Sequence, residues 1–171
     1  MMTPEVEYSP RELGNLIEDI RFAMFTTRSS DGALHSRPMT TQKADTDDPF
    51  AHERLWFFMS RASKTVIELT ADPRVNLAYV DTSKDIYISV YGSGRLVEDP
   101  EIKKALWSKM NEAWFPRGPE DPDLALVGVE VKDAEYWNVT DSKLVQVAKM
   151  AKAALTGERP AMGEHGHIKP G

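Results

Sequence analysis

The chain contains no cysteine. That excludes a disulfide framework, thiolate metal ligation and thiol redox chemistry, so any electron transfer has to be carried by a bound cofactor. No stretch approaches the roughly 20 consecutive apolar residues of a membrane-spanning helix, and no basic segment followed by an apolar one stands near the N-terminus. A cytoplasmic location without a membrane partner is the resulting expectation. Positive charge is also scarce, since 21 Lys and Arg face 27 Asp and Glu for a net charge of −6. A general nucleic-acid binder works by neutralising phosphates with cations, so nucleic acid is not an expected partner, although one local basic pocket fits the balance. No internal repeat occurs, and Gly92-Ser93-Gly94 lacks the spacing of a dinucleotide fingerprint. With 41% hydrophobic and 28% charged residues, the 171-residue chain has the composition of one ordinary globular domain.

The densest chemistry lies in Ser60-Arg61-Ala62-Ser63-Lys64. It follows the apolar run Leu55-Trp56-Phe57-Phe58-Met59, which reads as a strand, and precedes Val66, Ile67 and Leu69, which read as a helix ending at Asp72-Pro73. A helix start carries unpaired N–H groups and the positive end of the dipole, so hydroxyls and cations gathered there suit a phosphate. The same residues serve equally as a helix cap with two solvated cations. Upstream, Phe22 to Thr27 and Ala33 to Thr40 flank Asp31-Gly32 and read as a β-hairpin. Pro38 cannot donate to a ladder, so its strand is at an edge or bulged there, and the adjacent Arg37 is placed to meet an anion.

The rest of the chain alternates short strands with helices. Pro10 follows Ser9 in a capping box that opens a helix bearing Leu13, Leu16, Ile17 and Ile20, and an acidic surface loop runs from Lys43 to Phe50. Val75 to Tyr79 and Ile86 to Val90 alternate as two antiparallel strands, with a bend or bulge at Gly92-Ser93-Gly94. Asp99-Pro100 starts a helix carrying Ile102, Ala105, Leu106, Lys109 and Met110, which breaks at Trp114-Phe115-Pro116. Ala125 to Val131 and Glu135 to Val139 read as two further strands, and a last helix begins near Asp141-Ser142. Residues 1–156 are expected to form one domain and residues 157–171 a flexible C-terminal tail holding His165 and His167, too few fixed ligands for a metal site. Hairpin-linked strands in this order exclude a doubly wound parallel sheet and indicate a mainly β, antiparallel sheet or barrel with peripheral helices.

The hairpin ending in Arg37-Pro38-Met39, the aromatic strand and Ser60-x-x-Ser63-Lys64 together resemble the FMN-binding split-barrel superfamily of pyridoxamine 5′-phosphate oxidase, most closely its general stress protein 26 branch. The resemblance covers roughly residues 10 to 150. It implies an antiparallel split β-barrel of Greek-key type and a homodimer with flavin in clefts at the interface, which would account for the apolar Leu55 to Met59, as a plain internal core also would. It makes Ser63 and Lys64 phosphate ligands with Ser60 and Arg61 beside them. Arg37, Pro38 and Met39 line the flavin ring and ribityl chain, with Phe57 on the strand beneath. Trp114 and Trp137 are candidates for packing against flavin from a second subunit, or else core residues, the core being favoured for Trp137. The implied cofactor is FMN, with FAD or a deazaflavin (F420) as alternatives, and the implied activity an oxidoreductase with NADH or NADPH as donor, or a non-catalytic flavin-binding stress protein. Gln42 stands where pyridoxamine phosphate oxidases carry a lysine, and their C-terminal arginine- and histidine-bearing substrate segment has no counterpart, so that oxidation is not expected.

Overall fold

Strands with an apolar residue at every second position bury one face each, and here they do so by closing on themselves. The computed structural model describes residues 10–43, 54–138, 143–157, 159 and 164–168. In order these form α1 (Pro10–Ile17), β1 (Phe22–Arg28), β2 (Leu34–Gln42), β3 (Arg54–Ser60), α2 (Lys64–Ala71), β4 (Arg74–Asp81), β5 (Ile86–Leu96) and α3 (Pro100–Leu106). Two 3-10 turns, Lys109–Ala113 and Gly118–Glu120, lead to β6 (Leu124–Asn138), α4 (Lys143–Thr156) and β7 (Glu164–Ile168). The Ser9 cap, Ala44 to Phe50 and the Asp141-Ser142 helix start lie outside the described residues.

The antiparallel sheet runs β3-β2-β1-β4-β5-β6-β7, and β3 also pairs with β6, closing six strands into a barrel. The β4-β1-β2-β3 order is a Greek key. Inside, Phe25 and Phe57 meet edge to face at 5.1 Å and 86°, surrounded by Leu77, Tyr79, Val90 and Val127. Leu13 and Ile17 of α1 and Val66 and Leu69 of α2 join this core. On the outside of β3, Trp56 packs with Ile102 and Leu106 of α3 and with Leu126. The run Leu55 to Met59 is thus covered on both faces within one chain and needs no partner to explain it.

The β1–β2 hairpin turns as expected, with Ser29 N donating to Ala33 O at 2.9 Å and Gly32 at φ +87°, a backbone region costly to other residues. The expected irregularity at Gly92 is a bulge: Tyr91 pairs with Asp133 but Gly92 with Val131, leaving Lys132 extra. A Cβ on Gly92 would stand 2.5 Å from Glu130 O, so only glycine fits.

Three boundaries differ from the sequence reading. The two strands expected after Leu124 are one, β6, because the bulge absorbs the break in alternation without ending the pairing to β5. The helix from Pro100 stops at Leu106, and Lys109 and Met110 belong to a separate 3-10 turn. Within the expected tail, Glu164–Ile168 forms β7 on β6, a pairing that backbone groups make without an apolar pattern. Among the described residues, no helix is long and apolar enough to cross a membrane.

Candidate functional site

The barrel is split between β2 and β3. β2 pairs with β1 along Leu34 to Thr40, but meets β3 only at Thr41–Phe57 and Gln42–Trp56. From Leu34 to Thr40 the other edge of β2 has no neighbour among the described residues. Pro38 sits in that stretch, opposite Met24, where a missing N–H is tolerated. Arg37 and Met39 are half-buried and Pro38 is exposed.

Beside this open edge, α2 begins. Ser63 is its N-cap, with Oγ accepting from Val66 N at 3.3 Å, and α2 packs against β1 and β5. That packing turns Thr65, Val66, Glu68 and Leu69 inward. Glu68 is only 6% exposed, a position a carboxylate holds only when its oxygens are paired. Thr27 Oγ1 donates to Oε2 at 2.5 Å, and Arg37 Nη2 donates to the same oxygen at 3.3 Å. His35 Nδ1 lies 3.2 Å from Oε1; since an ionised carboxylate only accepts, that nitrogen carries the hydrogen. Lys64 Nζ is 3.5 Å from Oε1, one helical turn away. Arg37 Nη1 also donates to Thr27 Oγ1 at 2.7 Å. The Thr27 hydrogen bond above all, helped by His35 and Arg37 and opposed by burial, holds the Glu68 carboxyl down at about 2.

Arg37 and Lys64 are therefore brought together on Glu68, in the helix that Ser63 caps. Ser60 and Arg61 are not. Ser60 Oγ donates to Asp123 Oδ1 at 2.9 Å, while Arg61 donates to Glu98 Oε1 at 2.7 Å and to Leu124 O at 3.2 Å. They fasten the end of β3 to the start of β6 and to Glu98 just after β5. Phe57, expected on the strand beneath the ligand, is fully buried on the inner face of β3, paired with Thr41 of β2 and Val127 of β6. Trp137 is no core residue: it is 37% exposed on the outer face of β6, opposite Tyr87. Trp114 is 81% exposed, whereas its neighbour Phe115 is buried. Gln42 is held by the sheet, its Oε1 accepting from Asn111 Nδ2 at 3.2 Å.

Glu68 and His35 are the members that motif reading missed. The signal for Glu68 was an acidic residue on the apolar side of a short helix, one turn after a lysine and between Val66 and Leu69. The donor set fits a phosphate. Arg37 has five N–H groups and uses Nη1 and Nη2 once each within the cluster, and the Lys64 side chain is 66% exposed. The first-turn N–H groups of α2 point the same way as the helix dipole, which favours an anion.

The sequence profile of the pyridoxamine 5′-phosphate oxidase like family matches residues 9–161. The chain belongs to that family. Among its relatives is general stress protein 26 of Bacillus subtilis, 28% identical over 121 residues that cover 68% of this chain and 79% of that protein. A protein of Jannaschia sp. CCS1 assigned as general stress protein 26 superposes with a TM-score of 0.69 at 26% identity, over 92% of this chain and 96% of that one. The general stress FMN/FAD binding protein of Xanthomonas citri superposes with a TM-score of 0.63 at 28% identity, over 78% of this chain and 90% of that one. The split-barrel reading of the hairpin, aromatic strand and Ser63-Lys64 helix start agrees with this membership and with the closed barrel.

Proposed function

We propose that this member of the pyridoxamine 5′-phosphate oxidase-like family binds FMN, with Arg37, Ser63 and Lys64 on the phosphate and the Arg37-Pro38-Met39 stretch of the open β2 edge along the ring and ribityl chain. The observation that carries the proposal is the convergence of Arg37 and Lys64 on Glu68 at the start of α2, beside a strand edge free to approach a ligand. FMN bound there supplies hydride and electron transfer from a reduced nicotinamide donor, NADH or NADPH, to a small acceptor. The chain itself contributes the phosphate grip and the shape of the cleft.

A second copy of the chain is the proposed partner. On the outer face of the barrel, Met24 stands between Pro38 and Ala78, and Tyr87 between Val80 and Trp137, a row that begins at the open-edged β2 and crosses β1, β4, β5 and β6. Met24, Val80, Tyr87 and Trp137 are about half-exposed, a contiguous apolar surface of the kind that marks an interface. A second copy seated there borders the cleft at Pro38, and Trp114, left in solvent by its own chain, is available to it.

Titration of the apo-protein with FMN and with riboflavin, followed by flavin fluorescence, tests the phosphate reading. FMN is expected to bind more tightly and to raise the melting temperature by mass action. Equal affinity for the two flavins refutes it. Bleaching of the bound flavin by NADH or NADPH under argon, and reoxidation by an added acceptor, separates an oxidoreductase from a protein that only holds flavin. Light scattering at micromolar concentration that gives a monomer mass with FMN bound refutes the dimer.

A further inference from the structure

The cluster around Glu68 has an unusual charge balance for a site that takes a dianion. Arg37 and Lys64 bring two positive charges, and Glu68, ionised at neutral pH, cancels one of them. With a neutral His35 the net charge is +1. A phosphomonoester carries close to two negative charges above its second dissociation near pH 6. Its arrival makes the group net negative in a partly desolvated place, where charge imbalance is costly.

One member of the cluster, His35, is an imidazole, whose two ring nitrogens allow a neutral and a protonated form. An imidazole ordinarily titrates near pH 6.5, and His35 shares Glu68 Oε1 with Lys64, at 3.2 and 3.5 Å. Its Nδ1 hydrogen is committed to that carboxylate, which leaves Nε2 of the neutral ring as a proton acceptor. The ring is 39% exposed, so water reaches it. The charged groups around it are Glu68 and Lys64 from α2, Arg37 from its own strand and Asp31 from the hairpin turn, while β1 presents the neutral Thr27 opposite. Arg28, the next residue of β1, is turned toward Asp72 at 3.7 Å.

Resting on the phosphate reading above, we infer that His35 is an added member of the anion site, taking up a proton from solvent at Nε2 when a phosphomonoester dianion binds. The proton brings the group of Arg37, Lys64, Glu68, His35 and phosphate to net zero. Glu68 thereby has a second role. It orients both fixed cations and, by cancelling one of them, makes binding depend on the mobile proton.

Calorimetric titration with FMN near pH 7.5, in two phosphate-free buffers of low and high ionisation enthalpy, counts the protons exchanged on binding. A fraction of one proton should be taken up per FMN by the wild-type protein, and none with riboflavin. The FMN dissociation constant should rise roughly three- to tenfold between about pH 6.5 and 8.5, as linkage to one group requires. His35→Gln keeps a donor for Glu68 but cannot titrate, so it should abolish the uptake and flatten the profile; His35→Asn serves if that variant does not fold. Zero uptake by the wild type, or equal uptake by the variant, overturns the inference while leaving an FMN preference over riboflavin intact. Loss of that preference instead overturns the phosphate reading and this inference with it.

Discussion

Lys64→Ala separates a ligand-holding lysine from a structural one. Within the fold, Lys64 is 66% exposed and its cluster contact is Nζ to Glu68 Oε1 at 3.5 Å. A pair one helical turn apart with its lysine in solvent is worth about 0.2–0.5 kcal/mol, and alanine is the better helix former, so stability should change by less than about 0.5 kcal/mol. Glu68 keeps Thr27, His35 and Arg37 in the variant. Binding should respond differently. A charged hydrogen bond to phosphate contributes about 1.5–3 kcal/mol, and solvent at so exposed a side chain places the loss toward the lower end, about 1.5–2 kcal/mol. That corresponds to a roughly 10- to 30-fold weaker FMN dissociation constant. Riboflavin, which lacks the phosphate, should bind both proteins alike. Fluorescence titrations with both flavins, beside a urea melt of each protein, give all three quantities. If FMN and riboflavin weaken together, or neither changes, Lys64 does not hold the phosphate; if the melt shifts strongly, the lysine supports the fold.

Acid should loosen the site and the fold together. Glu68 and Asp72 both have carboxyls held down at about 2, chiefly by Thr27 and by Arg74 respectively. A depressed native pKa means that the stability they contribute is present above the ordinary carboxylate range and is lost as pH falls from about 4.5 toward 2, which urea midpoints across that interval would show. Glu68→Gln should flatten this part of the profile. Gly92→Ala should destabilise by about 1–3 kcal/mol, because its Cβ meets Glu130 O and Val129 Cγ1 at 2.5 and 2.8 Å and a paired backbone cannot give way; chemical denaturation measures it, and a neutral result would mean that the bulge relocates. Pyridoxamine 5′-phosphate should not be turned over at an ordinary enzymatic rate, roughly 1 per second or more, since Gln42 is tied to Asn111 where oxidases of that substrate carry a lysine. Pyridoxal 5′-phosphate formation by the FMN-loaded protein measures this.

Local rules reached far into this chain. Asp31-Gly32 between two alternating runs specified the hairpin, Ser63 ahead of a helical apolar spacing specified the start of α2, and Pro38 specified a strand with a free side. Each of these is decided by residues a few positions apart, which is the range over which turn chemistry, capping and side-chain period operate. The same range explains why α3 is shorter than its spacing predicts: Lys109 and Met110 continue a helical spacing, but the chain leaves the helix at Trp107, whose ring meets Phe58 at 5.8 Å.

Barrel closure decided the rest. Alternation says that Phe57 and Trp137 each face one side of a strand, yet only the closed barrel says that one side is a sealed interior and the other open surface. A sequence likewise shows four polar residues in Ser60 to Lys64 but not which way each turns. The pairing of β3 with β6 draws Ser60 and Arg61 to Asp123, Glu98 and Leu124, while Ser63 caps α2 and Lys64 meets Glu68, which Arg37 and His35 of β2 also reach. His35 and Glu68 are 33 positions apart, and neither belongs to a motif. They meet because α2 lies against β1 with its inward face at the split, where a buried carboxylate is stable only if groups from other elements supply its hydrogen bonds. Such partners are chosen by the packing of the whole barrel, so the composition of the site was legible in the sequence and its wiring was not.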